Sequence, residues 1–179
     1  MNSLISLHNS IFTSLERALD GWFPGLLARL VFSSVTLVFF WNSAKTKIGD
    51  SIFSPSTGAY AQIFPKKFEA AGYDTDAMSA LDTLIVLAGT YAEFILPVLV
   101  LVGLFTRLSS AAMIGFIAVM SIVDITGHGA DAKTIGSFFD RFQDGVILDQ
   151  RLLWIFPLIY LILKGAGKIS IDGLVNRWR

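Results

Sequence analysis

Four apolar stretches, each about as long as a membrane is thick, dominate what this chain can fold into. A helix needs about 20 predominantly apolar residues to cross roughly 30 Å of hydrocarbon. Residues 24–44, "PGLLARLVFSSVTLVFFWNSA", carry a single charge, Arg29. Residues 81–104 hold Asp82 near their start and Glu93 inside. Residues 108–125 are apolar up to Asp124, and residues 146–165 are interrupted in their first turns by Asp149 and Arg151. The second and third stretches lack the polar face that an amphipathic helix of a soluble bundle would show. The expected fold is therefore all-α: a single polytopic membrane domain over residues 1–179, with a four-transmembrane-helix bundle and short interfacial helices.

Composition agrees. Of 179 residues, 54% are hydrophobic and 16% charged, against about 45–50% and about 25% in globular domains; mean hydropathy is +0.63. Net charge is zero and no basic stripe occurs, so nothing points to nucleic acid. The chain has no cysteine, which excludes disulfides, thiolate metal sites and thiol redox chemistry of its own.

Between the spans the sequence suggests coverings rather than plain connectors. In residues 1–23, Leu4, Ile11, Leu15, Ala18 and Trp22 recur at helical spacing among Glu16, Arg17 and Asp20, the pattern of an amphipathic helix lying on a membrane surface. Residues 45–80 are too long for a simple loop. They mix Pro55, Gly58, Pro65 and Gly72 with apolar residues, and "PKKFEAAG" has a helical start and stop. With residues 126–145 they are expected to cap one end of the bundle. Basic residues are denser in 1–23, 105–107 and 166–179 than in the two capping stretches, which places both termini in the cytoplasm by the positive-inside rule. The charges Asp149 and Arg151 are expected at the outer surface, turned toward the head groups or the capping stretches, because a helix starting after them falls short of the hydrocarbon thickness.

The candidate polar site lies in the second span. Pro97 has no N–H, so the carbonyl four residues earlier loses its helical partner; that carbonyl belongs to Glu93, whose carboxyl shares the same depth. A lone charge there is costly, and Arg29 is the expected partner. Arg29 lies 15 residues in from residue 44 and Glu93 lies 12 in from residue 81, a difference in depth of about 4–5 Å. The trio Glu93, Arg29 and Pro97 would border a small polar cavity. A second cluster is expected at the outer end: Trp41, Asn42 and Lys45 closing the first span, with Asp124 and His128 closing the third. Trp41 reads as an interfacial anchor and Lys45 as a snorkelling cation. One histidine without cysteine is a poor transition-metal site, so no metal site is expected, and "GHG" reads as a turn. Ala111, Gly115 and Ala118 share a face of the third span that is expected to pack inside the bundle, with a partner interface as the alternative. "KGAGKIS" has the wrong spacing for a phosphate loop and reads as a helix stop at the membrane surface.

Several of these stretches together resemble the DoxX family of small four-helix membrane proteins. They are the arginine early in the first span, "FFWNSAKTKIG" at its exit, "EFILPVLVLVGLFTRLSSAAM" through the second turn, and the closing "KGAGKISID". The resemblance spans most of residues 24–173. It implies a bacterial cytoplasmic (inner) membrane location and a four-helix bundle, in a family named for a small subunit of thiosulfate:quinone oxidoreductase.

Three functions follow as expectations. The first is a non-catalytic membrane subunit that docks or supports a partner complex, in quinone-linked redox or in stress- or metal-related metabolism. The second is a stand-alone quinone-linked oxidoreductase, and the third a small-molecule transporter. An enzyme would need a redox centre, and the sequence offers no cysteine, haem ligation pair or nucleotide fingerprint. A transporter usually needs more helices or an oligomer, and no inverted repeat is visible. The subunit is favoured, with no catalytic residue assigned and no intrinsic cofactor. A quinone or lipid is the molecule it would hold, and membrane lipid with a protein partner or a second copy of the chain are its partners.

Overall fold

The computed structural model of the protein describes residues 2–177. Helix is the only extended regular structure among them; an isolated β-bridge joins Ile48 to Pro55. Helix α1 (Asn2–Leu19) is followed by α2 (Phe23–Lys47), the short helices α3 (Thr57–Ile63) and α4 (Pro65–Ala70), then α5 (Ala80–Val102) and α6 (Thr106–Ile122). Helix α6 widens into a π turn over Val123–Gly127; α7 (Ala132–Ile135) follows. A second π turn, Val146–Gln150, leads into α8 (Arg151–Lys164), and α9 (Ile171–Arg177) ends the described chain. Four helices are long and apolar enough to cross a membrane: Phe23–Lys47, Ala80–Val102, Thr106–Gly127 and Val146–Lys164.

Their surfaces are those of a membrane bundle. Leu27, Val31, Val35 and Val38 on α2, Leu84 and Ile95 on α5, Val119 and Ile122 on α6, and Leu153 and Phe156 on α8 are all exposed. Soluble monomers rarely expose large apolar patches. The interior, by contrast, holds Arg29, Ser33, Thr36, Lys47, Thr90, Glu93 and Ser110 beside the apolar core of Phe32, Phe40, Val100, Met113, Ile117, Leu158 and Leu161. Helix α2 packs on α5 and α8, and α6 packs on the same two. This is the multi-pass, four-helix arrangement expected from the sequence.

Short helices close one end. Tyr60, Phe68, Met78 and Val86 form a second buried cluster that seats α3 and α4 on the first turns of α5. Ser79 and Asp82 build a reciprocal capping box at the start of α5. Asp82 also accepts from Lys67 Nζ at 2.7 Å, and Tyr60 and Thr83 share a hydroxyl hydrogen bond of 2.8 Å. At the opposite, terminal end the turn before α2 meets the segment after α8, since Lys168 N donates to Gly21 O at 2.7 Å. Helix α1 is exposed over nearly its whole length, with Leu4, Ile11 and Leu15 open, an unpartnered amphipathic helix of the kind expected at a membrane surface.

Two expectations are corrected here. Ala111, Gly115 and Ala118 do not pack inside the bundle; all three are exposed, and α6 instead buries Thr106, Ser109, Ser110, Met113 and Ile117. Hydroxyls and a methionine can fill an interior as well as small residues can, so side-chain size alone did not fix the rotation of this helix. Arg151 does not face head groups either: helix begins at Val146 as expected, but Arg151 is buried and turned into the bundle.

Gly103 ends α5 in the left-handed region (φ 70°), and a Cβ there would lie 2.6 Å from Ser170 Cβ and 3.1 Å from Arg29 Nη1. Gly103→Ala should lower stability by about 2 kcal/mol or more. Gly115→Ala, whose Cβ would meet nothing within 4 Å, should be neutral or stabilising by about 0.5–1 kcal/mol. Thermal unfolding of both variants in mild detergent checks the contrast.

Candidate functional site

Helix α2 turns a single stripe inward: Arg29, Ser33, Thr36, Phe40, Ala44 and Lys47, at steps of three and four, are buried. The last of these supplies the partner of Glu93. Lys47 Nζ donates to both carboxylate oxygens of Glu93 at 2.9 Å and to Ser43 Oγ at 2.6 Å. The Ser43 hydroxyl in turn donates to Glu93 Oε1 at 3.3 Å. All three ammonium hydrogens thus have acceptors, and the two charged residues are only 5% and 4% exposed. A charge pair this deep is tolerated only because it is so completely hydrogen-bonded.

The expected Glu93–Arg29 pair does not form. Arg29 sits at the terminal end, donating through Nη1 to Leu101 O at 2.6 Å and through Nη2 to Ile169 O. Along α2 it is 14 residues from Ser43, about 21 Å. The depth estimate failed because it took residues 44 and 81 as level. The Trp41 indole donates to Phe94 O at 3.1 Å, which fixes the true register: α2 ends beside Glu93, and the first turns of α5 rise past it into the cap. Pro97 is buried within α5, which continues through it as one helix.

The expected outer cluster also divides. Trp41, Asn42 and Lys45 are exposed, and Trp41 ties α2 to α5. Asp124 pairs with Arg151 Nη2, and Arg151 Nη1 donates to Ser121 Oγ at 2.8 Å. His128 Nε2 donates to Gln62 O at 3.0 Å, fastening the end of α6 to the cap.

These two polar groups share one cavity of about 630 Å³ between α2, α5 and α6. Ser43, Lys47 and Glu93 line one part of it, and Asp124, His128 and Arg151 another. Gln62 adds one further polar residue, and Phe39, Ile85, Leu96, Phe116 and Met120 belong to the apolar remainder of the wall. The space exists because facing helices carry almost no side chain there: Ala88, Gly89 and Ala92 on α5, Ala112 and Gly115 on α6. Arg151 keeps its Nε–H without a partner. Lys47, Ser43 and Arg151 were missed as site residues by sequence reasoning. The inward stripe of α2, continued past Ala44, was the signal for Lys47. Chemically the cavity sets the Arg151 guanidinium and the Glu93 carboxylate in the wall of a space whose remaining lining is mostly apolar.

The fold defines a multi-pass helical membrane protein. No protein-family model, curated protein or solved structure matches the chain.

Proposed function

We propose that this is a DoxX-like subunit of a bacterial cytoplasmic membrane, with both termini cytoplasmic. In this reading its cavity receives a small lipid-soluble molecule with an acceptor-bearing head, a quinone, on behalf of a partner complex that supplies the electrons. The observation that carries the proposal is the apolar cavity between membrane-crossing helices with the buried Lys47–Glu93–Ser43 group in its wall. Pockets that orient one polar end of an apolar ligand have this character. The family resemblance gains support from the way its scattered stretches meet. Asp172, in the closing segment, accepts from Phe105 N and Thr106 N at 2.9 and 2.8 Å, while Arg29 bridges the carbonyls of Leu101 and Ile169. With no cysteine in the chain, electron delivery falls to the partner.

The test is extraction of lipid-soluble molecules from protein purified in mild detergent out of quinone-replete membranes. Quinone should accompany the wild-type chain and fall by about tenfold or more in Gly115→Leu, a loss of about 1.4 kcal/mol of binding. That variant grows into the cavity from a position with open space. Wild-type protein free of quinone would end the proposal, and solute uptake by the lone chain in proteoliposomes would replace it with transport. Orientation has its own check, since single cysteines stand out in a cysteine-free chain. An impermeant thiol reagent should label Thr57→Cys and Ala130→Cys in intact cells but not Ser3→Cys or Asn176→Cys; the reverse pattern inverts the topology.

A further inference from the structure

The terminal end of the bundle carries a second cleft, of about 980 Å³, far from the cavity beside Glu93. The α5–α6 turn, the last turn of α8 and the segment into α9 form its walls. Arg107, Lys164, Lys168 and Arg177 line it. All four are exposed, and none forms an ion pair with another described residue. The one carboxylate in the lining, Asp172, is turned into the protein: it accepts from the Phe105 and Thr106 N–H groups and from the Thr106 hydroxyl at 2.7 Å. Four cations around one cleft repel one another unless an anion sits among them.

The rim is apolar in the direction of the membrane. Leu108, on the first turn of α6, is 72% exposed, and Phe105 is 66% exposed. Phe105 holds a left-handed backbone (φ 47°), an uncommon and strained state for a non-glycine residue. The hydrogen bond from its N–H to Asp172 holds it there. The cleft therefore sets cations where a membrane-crossing helix ends and an aromatic and a leucine where acyl chains begin. We infer that it binds the phosphate-bearing head group of an anionic phospholipid, with the lipid's chains lying along the exposed side of α6. Clustered basic residues beside membrane helices attract such head groups. Free phosphate would meet the same cations but would make no use of Phe105 and Leu108.

The purified full-length chain, incubated with phosphatidylglycerol or with phosphatidylcholine of identical chains, provides the test by native mass spectrometry. Phosphatidylglycerol should be retained about tenfold or more over phosphatidylcholine. Arg107→Gln/Lys164→Gln/Lys168→Gln should abolish that preference while leaving helicity by circular dichroism unchanged. Lys45→Gln, an exposed cation outside the cleft, should leave it intact. Equal retention of the two lipids by the wild type overturns the inference, as does a triple variant that still prefers phosphatidylglycerol. Should the triple variant fail to fold, Arg107→Gln and Lys168→Gln singly should each lower the preference about fivefold, and no change in either is equally fatal. Inorganic phosphate at the same concentration should not displace the lipid. Displacement would assign the cleft to free phosphate instead.

Discussion

Lys47→Met should cost about 3–5 kcal/mol, because it leaves the Glu93 carboxylate buried without a counter-charge. The pair is held by two bonds of 2.9 Å and reinforced through Ser43, so no neighbour is placed to take over. Lys47→Met/Glu93→Leu, which removes both charges, should recover most of the loss, since apolar replacement of a whole buried pair is often neutral. The two variants together distinguish a stranded charge from mere loss of packing. Reversible unfolding in mixed micelles measures both. A single variant within about 1 kcal/mol of wild type would mean that the pair contributes nothing, and a double variant as unstable as the single would assign the loss to packing alone. Ser43→Ala should fall between, at about 0.5–1.5 kcal/mol for one hydrogen bond.

How the spans were legible and the pairing was not has a physical explanation. Whether a segment crosses a membrane depends on its own summed apolarity, which is local, and the four helices start and stop within a few residues of the expected limits. Which residue sits opposite Glu93 depends on the relative height of two helices, which is not local. Helix α5 runs on past the end of α2 because α3 and α4 give its first turns something to pack against; nothing in residues 81–92 alone announces that offset. Rotation was only partly readable. The buried stripe of α2 reaches Lys47 at the same three- and four-residue steps that include Arg29, so Lys47 was within reach of pattern alone, whereas Lys45, two residues earlier, falls on the opposite side. Helix α6 gave the misleading signal, because Ala111, Gly115 and Ala118 face outward, and only Gly115 of the three borders the cavity. Arg151 was misplaced for a related reason: a charge near a span's end reads as surface-bound unless its partner, here Asp124 on another helix, is known.

Arg29→Ala should also destabilise, but independently of Glu93. Its guanidinium joins α2 to the end of α5 through Leu101 O and to the closing segment through Ile169 O. Each charge-assisted bond of this kind is worth about 1.5–3 kcal/mol, so losing both should cost about 3–5 kcal/mol. Arg29→Lys should recover little, because an ammonium lacks the planar fork that spans two carbonyls. Asp172 anchors the same junction from the other side, donating its N–H to Gly103 O at 2.9 Å and capping Thr106 through its side chain. Arg29→Ala and Asp172→Asn should therefore couple by about 1 kcal/mol or more in a double-mutant cycle. Arg29→Ala and Glu93→Gln should be additive within about 0.5 kcal/mol, as for sites beyond 7–10 Å. Coupling in the second cycle and additivity in the first would restore the Arg29–Glu93 pair that sequence depth suggested. The opposite result would make Arg29 a clamp on the terminal end, leaving Lys47 alone to neutralise the carboxylate beside the cavity.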